Sequence, residues 1–361
     1  MTRLTIDLGQ LAHNFNTIKG KLSPATQTIA VVKANAYGMG ASRIAKELVA
    51  LGADMLAVAY TQEGIELRKA GINCPILVFY PQLENFSQII TNHLEPALYS
   101  SSSIDRFSST LKELKKENYP VHLKCNTGLN RIGLTKKELT TFLEEKNLYP
   151  FEIKSVYSHL ASSENPKDCT FTKQQLDKFS QLKELTKKYF VTPPMFHLLN
   201  TSGVFNYPEF ELDAVRVGIA LYGFANRSKW DRELKPIATL SSKIVQIHSL
   251  KKGEGVGYNR GWIAPKESKI AVLSLGHADG ISRQYGQGKG GCWINNQYAP
   301  TVGNICMDMF MIDITHIKCK EGDRAILFDD THTAEEFAKK TGTISYEILT
   351  GLSSRIERTT T

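Results

Sequence analysis

Short apolar runs alternate with amphipathic stretches along the chain from residue 29 to about residue 224. The apolar runs are rich in β-branched residues, as expected of buried strands. The strand candidates are TIAVVKA, MLAVAY, PILVFY, EPALYS, PVHLKCN, FEIKSVYSHL, MFHLLN and AVRVGIALYG. The segments between them have helical spacing; in TKQQLDKFSQLKELTKK the apolar side chains recur in three-residue steps, at Leu176, Phe179, Leu182 and Leu185. Strands and helices that alternate in this way predict a (β/α)8 TIM barrel, with an open doubly wound sheet as the alternative.

The pattern changes after about residue 226. Segments such as ATLSSKIVQIHSL, KIAVLSLG, CWINNQYAPTVG and FMIDIT alternate apolar and polar residues with the period of a strand, and few helical patterns occur before AEEFAKKTG. We therefore predict an α/β protein with a barrel at residues 7–226, followed by a mostly β C-terminal domain at residues 227–361 that residues 1–6 could join.

Composition narrows the class of protein. The 361 residues are 42% hydrophobic and 22% charged, which is typical of a globular chain long enough for a barrel and a smaller domain. No run approaches the roughly 18 apolar residues of a membrane-spanning helix, and the start, MTRLTIDLGQ, lacks the features of a signal peptide. Six scattered cysteines without a CxxC pair fit a reducing compartment. We expect a cytoplasmic protein without a membrane partner.

The formal charge of +8 raises the question of a nucleic-acid partner. The basic residues are dispersed and interleaved with acids, as in TKKELTTFLEEK, which is typical of solvated helix faces. We therefore expect no nucleic acid, and a small anionic ligand would also suit the positive field. The nine histidines form no HExxH pattern or close cluster, so no catalytic metal is predicted.

Polar side chains stand where several predicted strands end. They are Lys33, Lys124 with Arg131, His159, Asn200 with Thr201, and Arg216. The ends of barrel strands meet at one mouth, so we expect these groups to converge. Lys33 has two interpretations, a snorkelling or ion-paired lysine and an amine that forms a Schiff base in a site where burial lowers its pKa. The glycines of TSG and GIALYG would let backbone N–H groups approach a phosphate.

Seven segments together carry a resemblance to a known family. They are VVKANAYGMG, KCNTGLNRIG, HLLNTSG, VRVGIALYG, GVGYNRGW, GHADGISR and VGNICMD. In this order they resemble the motif series of the bacterial alanine racemases, which use pyridoxal phosphate and combine a barrel with a C-terminal β domain. The resemblance implies interconversion of L-alanine and D-alanine in a homodimer with shared active sites, and supply of D-alanine for peptidoglycan synthesis.

The resemblance also implies two catalytic residues. Lys33 would hold the cofactor and then act as acid and base on one face of the substrate Cα. Tyr258, contributed by the partner subunit, would act on the other face, because racemisation needs a proton to leave one side and return on the other. Arg216 would face the pyridine nitrogen and keep it unprotonated, which argues against decarboxylation, and His159 would support Arg216.

Further roles follow from the same resemblance. The phosphate would be held by Tyr37, Thr201, Gly218, Ile219 and Tyr346, and we assign the neighbouring Asn200 to cofactor binding with them. Arg131 would lie near the cofactor's phenolic oxygen and the substrate carboxylate, and Met307 would offer its backbone N–H to that carboxylate from the partner subunit. Lys124 matches a lysine that is often carbamylated in the family.

Two departures from the family pattern bear on substrate range. His277, in GHADG, stands where a tyrosine usually lines the substrate's path, and Asn304 replaces a common arginine. A racemase of another or broader range, acting on serine or lysine, therefore remains an alternative. A non-catalytic pyridoxal-phosphate-binding regulator is a second alternative, which the β domain and Tyr258 disfavour; a decarboxylase is a third, which Arg216 disfavours.

Overall fold

The computed structural model describes residues 2–165 and 169–361. The chain forms two compact units. One comprises Ala12–Ala36 and Ala41–Leu234; the other comprises the N-terminal residues up to Leu11, Tyr37–Gly40 and Lys235–Thr361. We call them the barrel unit and the β unit. The domain limits predicted from the sequence stay a prediction.

The chain begins with strand β1, Arg3–Ile6, and the helix Leu8–Lys19. Eight parallel strands then close into a barrel, which confirms the predicted fold class. They are β2 (Gln27–Val31), β3 (Met55–Val58), β4 (Ile76–Val78), β5 (Glu95–Leu98), β6 (Tyr119–Lys124), β7 (Phe151–Tyr157), β8 (Met195–His197) and β9 (Ala214–Val217). Each strand pairs with the next, and β9 closes on β2 with Ile29 opposite Arg216. Because the barrel is closed, the alternative of an open sheet is excluded.

Helices connect the barrel strands. Their bounds are Ala41–Ala50, Thr61–Lys69, Phe86–Thr91, Ser101–Glu113, Lys136–Glu145, Thr170–Lys187, Thr201–Asn206 and Ser228–Asp231. The helix Ala41–Ala50, for example, buries one face with Ile44, Ala45 and Leu48. The short helix Ser228–Asp231 follows the last barrel strand and has no buried residue. The helix Thr170–Lys187 buries Leu176, Phe179 and Leu182 as expected, but then Thr186 rather than the predicted Leu185. A run of three-residue steps drifts from the 3.6-residue period, so Leu185 rotates partly into solvent.

The β unit is built on an eight-stranded sheet in the order β13-β16-β15-β14-β17-β10-β1-β18. Its strands from the second part of the chain are β10 (Ala238–Leu250), β13 (Ser268–Leu273), β14 (Gly291–Ile294), β15 (Gln297–Val302), β16 (Phe310–Asp313), β17 (Arg324–Phe328) and β18 (Glu357–Thr360), while β11 (Gly255–Val256) and β12 (Trp262–Ile263) form a separate hairpin. The unit's helices are Ala334–Lys339 and Ser345–Thr350. This confirms the predicted mostly β C-terminal architecture.

Pairing of β1 ties the start of the chain into the β unit. Leu4 lies opposite Leu240 of β10 in antiparallel register and opposite Arg358 of β18 in parallel register. Both Leu4 and Leu240 are fully buried, so the pairing also contributes to the core. Within the described residues, no helix combines the length and apolar character that crossing a membrane requires.

Candidate active site

Lys33 lies directly beyond the carboxyl end of β2, the position from which barrel side chains reach the mouth. Its neighbour Val32 still pairs with the sheet, because its N–H donates to the Ala57 carbonyl over 2.9 Å. Burial lowers the pKa of Lys33, the charge of Arg131 lowers it further, and Glu63 opposes both. At a given pH, the neutral fraction of the Lys33 amine is therefore larger than that of a surface lysine.

The backbone after Lys33 makes a left-handed turn. Ala34, Asn35, Ala36 and Tyr37 all have φ between 52° and 54°, a region that L-residues rarely adopt. Hydrogen bonds hold the turn: the Asn35 carboxamide accepts from the Ala41 N–H over 2.8 Å, and the Ala36 N–H donates to the Val32 carbonyl over 2.9 Å. Lys33 thus projects from a restrained segment.

Glu63 anchors the same turn from the helix Thr61–Lys69, which follows β3. Its carboxylate accepts from the Ala34 N–H, from the Ala59 N–H over 2.7 Å and from the Tyr60 N–H over 3.1 Å. It sits in the first turn of the helix Thr61–Lys69, where a negative charge is favourable. Sequence reasoning missed Glu63, although an acidic residue in a helix's first turn after a strand is a visible signal.

Arg216, on β9, is almost fully buried. Its Nη2 donates to the carbonyls of Ser158 at 2.6 Å and Leu198 at 3.0 Å, and to His159 Nδ1 at 3.3 Å. Its Nη1 donates to His197 Nδ1 at 2.6 Å. Burial lowers the pKa of Arg216 to about 10, so it remains a cation at neutral pH. None of these partners is a carboxylate, and the contact between Arg216 and His159 agrees with the predicted support.

Basic residues converge around His159. Burial lowers the pKa of His159 far below its usual value, and the positive charges of Arg216, Lys124, Arg131 and Lys33 lower it further. The residues that influence His159 in this way are the strand-end residues that the sequence predicted to meet. Because His159 is neutral and its neighbours are cations, the site would attract an anionic ligand.

Lys124, the last residue of β6, is buried and donates to the Cys125 carbonyl over 3.0 Å. Burial lowers its pKa to about 7, and the charges of Arg216 and Arg131 act in the same direction. A large fraction of Lys124 is therefore a neutral amine at neutral pH. Arg131 itself is exposed. Carbamylation of Lys124 stays a prediction.

Tyr157 and His197 belong to this cluster and were not predicted from the sequence. Their rings stack with centroids 4.7 Å apart, and the Tyr157 ring lies 5.1 Å from the Arg216 guanidinium and 5.3 Å from Lys124 Nζ. The ring face of Tyr157 thus compensates part of the buried charge. Both residues occur within two of the strand candidates, FEIKSVYSHL and MFHLLN, where they read as core positions.

Thr201 and Gly218 meet at the ends of β8 and β9. The Gly218 N–H donates to the Thr201 hydroxyl over 3.0 Å. Ile219 begins the short helical turn Ile219–Tyr222, whose first N–H groups point away from the turn. Asn200 caps the helix Thr201–Asn206: its carboxamide oxygen accepts from the Gly203 N–H over 2.9 Å and from the Ser163 hydroxyl over 2.8 Å. Roles for these residues at a phosphate stay predictions.

Tyr37 and Tyr346 lie together within the β unit, with ring centroids 6.0 Å apart. Burial strongly raises the pKa of the Tyr37 phenol, and the proximity of Tyr346 adds to the effect. Tyr37 is therefore a neutral phenol over the physiological range. The two residues that the resemblance assigns to one phosphate are thus neighbours of each other.

Tyr258 follows β11, and 73% of its surface is exposed. The Gly257 backbone before it has φ of 71°, and a Cβ there would lie 2.9 Å from the Met311 methyl group, so the position favours glycine. Asn304 holds the segment: its Nδ2 donates to the Tyr258 carbonyl over 3.2 Å, while its Oδ1 accepts from Gln287 over 3.1 Å. The departure at Asn304 therefore has a structural role.

Met307 lies on a loop that packs against GHADG. The N–H groups of His277 and Ala278 donate to the carbonyls of Cys306 and Met307 over 2.9 and 3.0 Å. A Cβ at Gly276 would lie 2.2 Å from the Met307 carbonyl oxygen, so only glycine fits this approach. The loop leaves Met307 58% exposed. His277, the second departure, has an exposed side chain.

Tyr258 and Met307 border one concave apolar surface of the β unit. The concavity has a volume of about 650 Å³. Its other lining residues include Leu250, Val256, Ile270 and Val272. The exposed side chains of Tyr258 and Met307 stand at its edge.

Removing the Asn304 carboxamide should loosen the Tyr258 segment. We expect Asn304→Ala to lower kcat by up to about tenfold, the equivalent of one or two modest hydrogen bonds, while cofactor affinity stays unchanged. Steady-state kinetics and cofactor titration measure both quantities. Gln246→Ala, which removes an exposed amide of the same unit, is the control. Wild-type kcat in Asn304→Ala would show that these bonds do not position Tyr258.

Comparison with known proteins supports the resemblance over the whole chain. The family model described as "Alanine racemase, N-terminal domain" matches residues 6–226, and "Alanine racemase, C-terminal domain" matches residues 237–360. The alanine racemase of Sorangium cellulosum is 34% identical, over 99% of this chain and 98% of its own length.

Solved structures agree. The alanine racemase of Clostridium difficile 630 has a TM-score of 0.94 and 33% identity, covering 100% of this chain and 95% of that one. The Bartonella henselae alanine racemase, described with covalently bound pyridoxal phosphate, has a TM-score of 0.90 and 30% identity, covering 100% of this chain and 99% of that one. Two family models, curated sequences and solved structures thus agree along the full length: the chain belongs to the alanine racemase family.

Proposed function

We propose that this protein interconverts L-alanine and D-alanine with pyridoxal phosphate, as a homodimer that supplies D-alanine for peptidoglycan synthesis. The observation that carries the proposal is the barrel cluster in which Lys33, Lys124, Arg131 and Arg216 all act on the neutral His159. Family membership makes alanine the expected substrate. A cytoplasmic location, predicted from the cysteine usage, belongs to the same proposal.

The residues of the barrel site fit pyridoxal phosphate. Lys33 offers an amine whose pKa is lowered by burial, as a Schiff-base lysine requires. Arg216 offers a fixed, buried cation for the ring nitrogen. The Thr201 hydroxyl and the N–H groups that begin the turn at Ile219 suit a phosphate.

The cofactor, when bound, supplies an electron-withdrawing group that stabilises negative charge at the substrate Cα. The chain then has to move one proton on each face of that carbon. Lys33 Nζ removes or returns the proton on one face, and the Tyr258 hydroxyl does so on the other. Arg131 and the Met307 N–H bind and orient the substrate carboxylate. These roles are proposals that rest on the resemblance and on the positions described above.

Arg216 favours racemisation over decarboxylation. A guanidinium holds its proton far more tightly than a pyridine does, so Arg216 would donate a hydrogen bond to the ring nitrogen without protonating it. An unprotonated ring would make the cofactor a weaker electron-withdrawing group and would shorten the lifetime of negative charge at Cα. An acidic residue at this position would favour the competing reactions.

We propose that Tyr258 and Met307 serve the barrel site of a second copy of the chain. Both side chains are exposed and border the concave apolar surface of the β unit. Docking of a second copy would cover this surface and bring both side chains to the other chain's barrel. A closed twofold dimer would then contain two complete sites.

The substrate range needs a separate test, because His277 and Asn304 depart from the family pattern. The exposed imidazole of His277 is smaller than a tyrosine side chain and has no phenol hydroxyl. Racemisation rates measured across L-alanine, L-serine and L-lysine decide the matter. We expect alanine to be fastest, and a clear lead for serine or lysine would replace alanine as the substrate.

Hydrogen exchange at Cα tests the reaction itself. In heavy water, we expect both enantiomers of alanine to gain one deuterium at Cα while the carboxylate is retained. Mass spectrometry and chiral chromatography measure incorporation and inversion together. Release of carbon dioxide would identify a decarboxylase, and cofactor binding without exchange would identify a non-catalytic binding protein; either result contradicts the proposal.

A further inference from the structure

Five polar side chains form a line across the barrel unit, one from each of the consecutive strands β5 to β9. They are Glu95, His122, Ser155, His197 and Arg216. Glu95 Oε2 lies 2.8 Å from His122 Nε2, and His122 Nδ1 lies 2.6 Å from Ser155 Oγ. Ser155 Oγ lies 2.9 Å from His197 Nε2, and His197 Nδ1 lies 2.6 Å from Arg216 Nη1. We call this line the barrel relay.

The relay is shielded from solvent. His122, Ser155 and His197 are completely buried, Arg216 is 3% exposed, and the Glu95 side chain is 13% exposed. Glu95 is the first residue of β5, at the amino-terminal end of the barrel, whereas Arg216 belongs to the cluster around His159. The relay therefore connects the active-site cluster with a carboxylate at the opposite end of the strands.

Arg216 fixes the position of the His197 proton, and with a neutral His122 the remaining protons follow in one order. A guanidinium only donates, so His197 Nδ1 must accept and the His197 proton must be on Nε2. His197 Nε2 then donates to Ser155, whose single hydroxyl proton is free to donate to His122 Nδ1. The His122 proton is therefore on Nε2 and is donated to the Glu95 carboxylate. Neutrality of His197 agrees with its burial beside Arg216, which lowers its pKa far below the usual value.

The two ends impose the same order. Arg216 cannot accept a hydrogen bond, and an ionised Glu95 cannot donate one. Moving the His197 proton to Nδ1 would place two N–H groups against each other at Arg216 in a buried site, which is costly. A polar core without a functional role would also satisfy its hydrogen bonds. It would not need a donor-only group at one end and an acceptor-only group at the other.

We propose that Glu95, His122, Ser155 and His197 are positioning residues for Arg216. The relay keeps His197 Nδ1 as an acceptor, and this acceptor holds one arm of the guanidinium while the other arm contacts His159 and the Ser158 carbonyl. The catalytic consequence rests on the proposed function, because a fixed guanidinium keeps the ring nitrogen of the cofactor unprotonated. The proton order itself does not rest on it.

Nitrogen-15 NMR of the full chain with labelled histidine tests the proton order, with and without pyridoxal phosphate. We expect His122 and His197 to be neutral and protonated on Nε2 in both samples. Assignment uses the loss of one signal set in His122→Asn and in His197→Asn. An imidazolium, or a proton on Nδ1 of either residue, would overturn the relay whatever the catalytic activity of the protein.

Kinetics test the positioning role. We expect Ser155→Ala to lower kcat for alanine by about tenfold, with KM changed by less than about twofold, because Arg216 acts on the reacting state rather than on substrate binding. Glu95→Leu should act in the same direction from the far end of the relay.

Ser108→Ala is the matched control, since Ser108 is a buried serine of the helix Ser101–Glu113 outside the relay. It should lower the melting temperature as much as Ser155→Ala does while leaving kcat intact. Wild-type kcat in Ser155→Ala would overturn the positioning role. If the wild-type protein does not racemise alanine, the proposed function fails, whereas the NMR result still decides the proton order.

Discussion

Lys33→Ala is expected to abolish racemisation and covalent attachment of pyridoxal phosphate. The loss combines the covalent anchor with the acid and base on one face of Cα, and the second role alone is worth about 10²–10⁴-fold. Borohydride reduction followed by peptide mapping should place the modified lysine of the wild-type protein at residue 33. The visible absorbance of the bound cofactor should disappear in the variant.

Two further variants sharpen this result. Lys33→Arg keeps a positive charge and length but cannot form the covalent bond, so it should be as inactive as Lys33→Ala. Lys46→Ala removes an exposed lysine of the helix Ala41–Ala50 and should behave as wild type. Attachment of the cofactor to Lys124, or turnover by Lys33→Arg, would refute the assignment.

The lowered pKa of Lys33 predicts the sign of a stability effect. A lysine whose pKa is lower in the folded than in the unfolded chain opposes folding at pH values below its unfolded pKa, and this cost disappears as pH rises above that value. Cofactor-free Lys33→Ala should therefore melt no lower than the wild-type protein at neutral pH. A clear decrease in melting temperature would show that the amine stabilises the fold.

Tyr258→Phe should retain the cofactor and lose most turnover, by about 10²–10⁴-fold in kcat. The phenol is exposed and lies outside the barrel unit, so its removal leaves the barrel cluster unchanged. Tyr298→Phe, which removes a hydroxyl bonded to Lys340 in the same unit, is the control and should remain active. Full activity of Tyr258→Phe would remove this tyrosine from the mechanism.

Mixing the two inactive variants tests whether the site is shared. In a dimer of one Lys33→Ala chain and one Tyr258→Phe chain, one site combines an intact Lys33 with the intact Tyr258 of the other chain. Random exchange of subunits should restore about a quarter of wild-type activity, because half of the dimers have one of two sites intact. No restoration after demonstrated exchange would place both residues of a site in one chain.

The barrel was predictable because its strands and helices repeat with two distinct periods. Each strand candidate corresponds to one barrel strand, and the closing pair of β9 with β2 follows from the fold class. Near the end of the helix Thr170–Lys187 the buried residue is Thr186 rather than Leu185. A pattern of three-residue steps does not resolve a drift of a fraction of a turn.

The site was predictable where a residue ends a strand or belongs to a motif. Arg216 and His159 were assigned in this way and are in contact. His197, Tyr157 and Ser155 were missed because they stand inside the strand candidates MFHLLN and FEIKSVYSHL, where they read as core positions. Their partners come from neighbouring strands up to 42 residues away, and no local pattern encodes such pairs.

Left-handed backbone was the hardest feature to foresee. VVKANAYGMG contains two glycines, yet the left-handed residues begin before them, at the two alanines and Asn35. Alanine has no preference for this conformation, which costs about 1–2 kcal/mol per residue. Hydrogen bonds within the turn and the contact of its backbone with Glu63 stabilise this conformation.

This turn limits how the lysine could be transplanted. A graft of VVKANAYG onto another barrel would carry the amine but not the conformation that aims it, because the recipient would lack the carboxylate on the following helix. The smallest portable unit is therefore two successive β/α repeats, from β2 to the helix Thr61–Lys69. A designer who copies the motif alone should expect a lysine that relaxes to a right-handed backbone and points elsewhere.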